Sequence, residues 1–97
     1  MKKIKATKDM LLREIVGEYV LVPVGEMSLK IHGIISISES AQFLWDRIVT
    51  GTTEKELVDC LLEEYQVDYN VALNDVKEFV SKMERLGIVE VEGDYEK

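Results

Sequence analysis

The stretch Ile34-Ile35-Ser36-Ile37-Ser38-Glu39-Ser40-Ala41-Gln42-Phe43-Leu44-Trp45 is where this chain changes its period. Up to Ile37 the residues are β-branched and extended in character. From Ser38 the apolar positions recur at helical spacing. Ser38 or Ser40 can cap a helix that carries Ala41, Leu44, Trp45 and Ile48 on one face. Phe43 falls on the opposite side, so this helix has apolar contacts on two sides. Trp45 and Phe43 at this spacing read as core rather than as a stacking platform.

Upstream of the junction the chain reads as β. Met10 to Val16 and Glu18 to Val24 are rich in β-branched and aromatic residues, and Gly17 between them predicts a hairpin with a tight turn. Pro23, Gly25 and Glu26 close the second strand, because proline cannot donate to a central ladder. A third extended stretch is expected from Met27 to Ile37, with His32-Gly33 as a bulge or tight turn that breaks its period. Three strands leave at least one sheet edge unpaired, and we place it around Leu29 to Ile37.

Downstream, Thr50-Gly51-Thr52 ends the first helix. Thr53 and Glu56 form a capping box for a second, with Leu57, Val58, Leu61, Leu62 and Tyr65 inward. Asp68 or Asn70 starts a third, whose stripe is Ala72, Val76, Phe79, Val80, Met83 and Leu86, and Gly87 stops it. With Leu73 this stripe covers an arc of about 140°, wider than packing on one neighbour requires. The surplus is either contact with a second neighbour or the wall of a groove. Ile88 to Val91 reads as a short closing strand. The expected architecture is α+β: an N-terminal three-stranded antiparallel sheet, then three helices resembling a helix-turn-helix core. It forms one domain over residues 1–97, with an ordered core at about 9–91.

Charge narrows the partners. The formal net charge is −7. Residues 1–13 hold five bases and one acid, whereas residues 53–97 hold five bases and thirteen acids. The Lys-rich start (Lys2, Lys3, Lys5, Lys8) reads as a solvated terminus. The second helix sets Lys55 among Glu54, Glu56, Asp59, Glu63 and Glu64, which repels a phosphate backbone and argues against nucleic acid. No run approaches the roughly 18 apolar residues of a membrane span, and no signal peptide pattern opens the chain. One cysteine, Cys60, excludes an internal disulfide and suits a cytoplasmic setting; it reads as a buried structural thiol beside Leu57 and Leu61.

The sequence offers little to an enzyme. His32 is the single histidine, so no multi-histidine metal site can form, and it reads as a turn residue before Gly33. No phosphate-binding glycine loop or nucleophile elbow occurs. Acid pairs such as Glu63-Glu64 read as a solvated helix face. What remains is binding equipment. An open strand edge beside an apolar helix wall is what an incoming extended peptide needs, with main-chain hydrogen bonds for affinity and side-chain pockets for selectivity.

Residues from Leu12-Arg13-Glu14-Ile15-Val16-Gly17-Glu18-Tyr19-Val20-Leu21-Val22-Pro23, through the Ile34 to Trp45 junction, resemble PqqD-like proteins. Gly51-Thr52-Thr53, Glu63-Glu64-Tyr65-Gln66-Val67-Asp68 and the helix from Asp75-Val76 to Leu86-Gly87 continue the likeness, which covers roughly Asp9 to Val91. The resemblance implies a winged helix-turn-helix-like fold that recognises ribosomally made, post-translationally modified peptides. Such domains bind the leader segment of a precursor as an added strand against their third strand, beside the third helix. They present it to a modifying enzyme, often a radical S-adenosylmethionine (radical SAM) protein. Carried over by position, the strand contacts fall on Leu29, Lys30, Ile31, His32, Gly33 and Ile34, and the helix contacts on Val76, Phe79, Val80 and Met83. No catalytic residue, metal or cofactor is implied for the chain itself. The competing readings are a winged-helix DNA-binding domain and a regulatory domain that only docks on an enzyme. An open edge also allows two copies to pair as a homodimer.

Overall fold

A computed structural model describes residues 3–7 and 9–93. Its first sheet is a meander of β2 (Met10–Ile15), β3 (Glu18–Pro23) and β4 (Ile35–Ile37), in the order β2-β3-β4. Register puts Leu12 opposite Leu21, and Leu21 opposite Ile35. Those residues share the face turned to the core. On the other face Leu11 and Ile15 stay partly exposed, whereas Val20 of the central strand is buried.

The β2-β3 turn consists of Val16 and Gly17, both at positive φ (50° and 79°). Two positive φ values are what a two-residue turn needs to match the twist of the strands. Valine is poorly suited there, since left-handed backbone costs a Cβ-bearing residue about 1–2 kcal/mol. Its side chain is 96% exposed, so no packing offsets the strain. Val16→Asn is therefore expected to raise the unfolding free energy by about 1 kcal/mol, measured by urea denaturation. An unchanged midpoint would place the strain elsewhere.

The expected third strand is mostly not a strand. Met27–Lys30 forms a single helical turn, α1, stopped at Ile31, and residues 31–34 run as a loop. Met27 is buried against the core, and the Ile31 N–H donates to its carbonyl at 2.8 Å. Gly33 takes φ +101°, which interrupts extended pairing. Only Ile35–Ile37 joins β3.

The helices follow the expected order. α2 (Glu39–Thr50) is capped by Ser38, whose Oγ accepts from the Ala41 N–H at 3.1 Å. Its Ala41, Leu44, Trp45 and Ile48 are all buried. α3 (Glu54–Glu64) is capped by Thr53, which accepts from the Glu56 N–H at 3.2 Å. Glu56 in turn accepts from the Thr52 hydroxyl at 2.9 Å, so the buried threonine is satisfied. α4 (Tyr69–Arg85) ends where Gly87, at φ +81°, lets the Ile88 N–H return to the Met83 carbonyl. That return bond satisfies an otherwise orphan carbonyl.

A second sheet had no counterpart in the sequence reading. β1 (Lys3–Ala6) lies between β5 (Thr52–Thr53) and β6 (Val89–Glu92), in the order β5-β1-β6. The start of the chain is therefore not a solvated tail over these residues. Lys3 and Lys5 face water while Ile4 is 2% exposed in the core. Lys2 and Lys8 lie outside the described residues. Four residues are too short for a convincing alternation, and the partners of β1 lie in the distant 52–53 and 89–92 segments. Both sheets and the three long helices share one core around Trp45, Leu57, Val76 and Met83.

Candidate peptide-binding site

β4 is an edge strand, since β3 occupies one side and no described residue pairs with the other. Its chain runs directly through Ser38 into α2, so the edge and the start of that helix are covalently held together. Beside this junction lies an open groove of about 300 Å³. Ser38, Ser40, Ala41 and Leu44 form one wall. Asp75, Glu78, Phe79 and Lys82 of α4 form the other, and Leu61 of α3 closes the base. Leu44 and Leu61 are 2% and 3% exposed, which makes the floor apolar. Phe79 is half-buried, packed against the core with part of its ring in the groove.

The wall spacing follows from helix geometry. Asp75, Phe79 and Lys82 stand four and three residues apart, so they share one face of α4. The other side of that face, through Ala72, Val76 and Met83, is sealed in the core. The wide stripe read from the sequence thus divides: its centre packs, and one margin lines the groove.

α2 is held to α3 by aromatic contact near the same end. Phe43 and Tyr65 meet edge to face at 5.9 Å and 90°. The Arg47 guanidinium lies 4.7 Å from the Phe43 centroid. Phe43 therefore does have its own contacts, away from the main face of α2. Burial pushes the Tyr65 phenol above its ordinary range, and the neighbouring Glu39, Glu64 and Tyr19 push it the same way.

The predicted site residues divide sharply. Leu29 and Lys30 sit on α1, with Leu29 77% exposed. Ile31 packs against the core, while His32 and Gly33 are exposed in the loop. Ile34, exposed, leads into β4. None of the six lies on a strand; the strand that borders the sheet edge is Ile35–Ile37. On α4, Val76 and Met83 are fully buried and offer nothing to a ligand. Val80 opens into a different crevice with Ile4 and Val91. Of the ten, Phe79 lines the groove and Ile34 adjoins the edge. Ser38, Ser40, Asp75, Glu78 and Lys82 also line the groove and were not among the ten. The β-branched run resuming after Gly33 was the available signal for the true edge. Cys60 is likewise half-buried rather than buried, in a shallow cleft with Arg47 and Glu63.

A larger hollow, about 500 Å³, lies against β1 and β5. Its walls mix Lys3 and Lys5 with Glu56, Glu90 and Glu92. Lys3 faces Glu92 and Lys5 faces Glu90 across the sheet, which among the described residues leaves Glu56 as the one acid of the hollow without a lysine opposite it in the register.

Comparison with known families identifies the fold. The model of the family described as "Coenzyme PQQ synthesis protein D (PqqD)" matches residues 18–89. The chain belongs to the PqqD family. No curated protein matches this PqqD-family chain. Two solved structures share its fold. One is TbiB1 in complex with the TbiA(beta) leader peptide, at TM-score 0.72 and 21% identity, covering 95% of this chain and 99% of that one. The other is lasso peptide synthetase B1 complexed with the leader peptide, at TM-score 0.71 and 16% identity, covering 90% and 96%. The α+β, winged helix-turn-helix-like architecture expected from the sequence is the one observed.

Proposed function

We propose that this PqqD-family protein is a non-catalytic recognition element for the leader segment of a ribosomally made precursor peptide. The leader adds as a strand to the free edge of β4 and lays alternate side chains into the groove between α2 and α4. The protein then presents the precursor to a modifying enzyme in the cytoplasm, of which the radical SAM class is the one the family likeness implies. The observation that carries this reading is the open Ile35–Ile37 edge directly beside an apolar-floored groove. Both structural neighbours are complexes with leader peptides, which supports it.

The surface of α3 speaks against phosphate as the ligand. Lys55 is paired to Asp59 at 2.9 Å, and the Asp59 partner raises its pKa. Lys77 of α4 meets Glu54 at 3.2 Å. Both pairs are exposed and weak, but each sets a carboxylate beside the lysine that a nucleic-acid backbone would have to displace.

The test locates a short precursor reading frame among the neighbouring genes and titrates the ¹⁵N-labelled protein with its leader segment. Amides of residues 34–38 are expected to shift most, followed by those around Phe79. Shifts centred on β2 or α3 would sink the assignment of the edge, and so would no shift at all.

A further inference from the structure

We infer that the leader segment held in this groove carries a large apolar residue and, two positions away, a lysine or arginine. The inference rests on the strand-addition reading and concerns which peptides that site selects. Its basis is the asymmetry of the α4 wall. Asp75 stands one turn before Phe79 on the helix, Glu78 immediately beside it, and Lys82 nearly one turn after it, all lining the same groove. No ion pair among the described residues engages Asp75 or Glu78; the nearest contact is a long 3.5 Å hydrogen bond from Asn74 to Glu78. Both side chains are exposed on the rim above the apolar floor of Leu44 and Leu61.

Spacing turns this asymmetry into a pattern. Asp75 and Phe79 are four residues apart on the helix, about 6 Å along its axis. In an extended peptide, residues on one face repeat every two positions, about 6.5 Å. For a peptide that runs along α4, an apolar side chain over Phe79 therefore brings the next residue on the same face to Asp75. The Glu78 side chain, three residues on and tilted back toward the helix start, reaches the same place. A cation there meets two carboxylates, whereas an anion is repelled. Lys82 repels a cation at the opposite end, so the charges also fix the direction in which the peptide lies. The excess of acids over bases in the chain adds long-range attraction for a basic segment.

The experiment pans a random dodecapeptide display library on the full chain and on an Asp75→Lys/Glu78→Lys double variant. Both positions are exposed, so circular dichroism should show both proteins folded alike. The native protein is expected to enrich an apolar residue with lysine or arginine two positions away. The double variant should enrich aspartate or glutamate at that position instead. A lysine-bearing winner should bind an Asp75→Asn/Glu78→Gln variant about 10-fold more weakly, from about 2- to 5-fold per lost pair. Raising the salt to 0.5 M should narrow that gap. Winners without charge bias, or basic winners unaffected by the neutral variant, would overturn the charge assignment. Strand addition would survive that result if the same winners shift the Ile35–Ile37 amides. Winners that leave those amides unmoved, or a library with no winners, would overturn both.

Discussion

Trp45→Ala is expected to lower the unfolding free energy by about 3–5 kcal/mol, the cost of deleting a fully buried aromatic side chain. Trp45 is 2% exposed and belongs to the core that joins the long helices to both sheets. A domain of this size has about 5–15 kcal/mol of stability in total, so the variant should be marginal at 37 °C. Far-UV circular dichroism in urea reads the change, because the substitution removes the sole tryptophan. Trp45→Phe keeps most of the ring volume and should recover more than half of the loss. A Trp45→Ala cost below about 1 kcal/mol would mean that the ring packs at a surface, and its reading as core would fall.

Phe79→Ala should weaken leader binding by about 30-fold, the scale of an aromatic anchor at the centre of an interface. Some of any loss could arise from general loosening of α4, and Val80→Ala separates the two causes. Val80 is also half-buried and sits next to Phe79 on the same helix, but it opens into the crevice beside Ile4 and Val91. Its truncation also loosens α4, at a smaller stability cost because fewer carbons are removed, and should change affinity less than about 3-fold. Isothermal titration at 15 °C, with both variants folded, makes the comparison. Equal losses for the two variants would remove the groove from the binding site.

The two variants also mark how far helix periodicity could reach. Spacing put Phe79 and Val80 on one apolar stripe with Val76 and Met83, and all four do contact the core. Periodicity alone could not say that the stripe has two margins opening into different clefts. That division depends on α2 and α3 lying along one side of α4 and β1 and β6 along the other. Nothing in the sequence singled out the acidic residues Asp75 and Glu78. Their place on the rim of a groove became visible only when Ser38 and Leu44 were brought opposite them.

The strand edge failed for a different reason. Met27 to Ile37 has the composition of a strand, yet Met27–Lys30 takes one helical turn and Gly33 adopts positive φ. Local β propensity expresses mostly side-chain packing on a sheet surface, so it yields to tertiary contacts. Here the burial of Met27 and Ile31 against the core wins over extension.

Residue order and spacing were enough for the β2-β3 hairpin, a serine cap at Ser38 or Ser40, the cap at Thr53, the stop at Gly87 and the buried face of α2. Each rests on interactions within a few residues of chain, where local geometry is decisive. The second sheet, the three-residue length of β4 and the division of α4 between core and groove came from the tertiary structure. They join residues as distant as Lys3 and Glu92, or Ser38 and Lys82. Such pairings are selected by the burial of a shared core, which no short window of sequence contains.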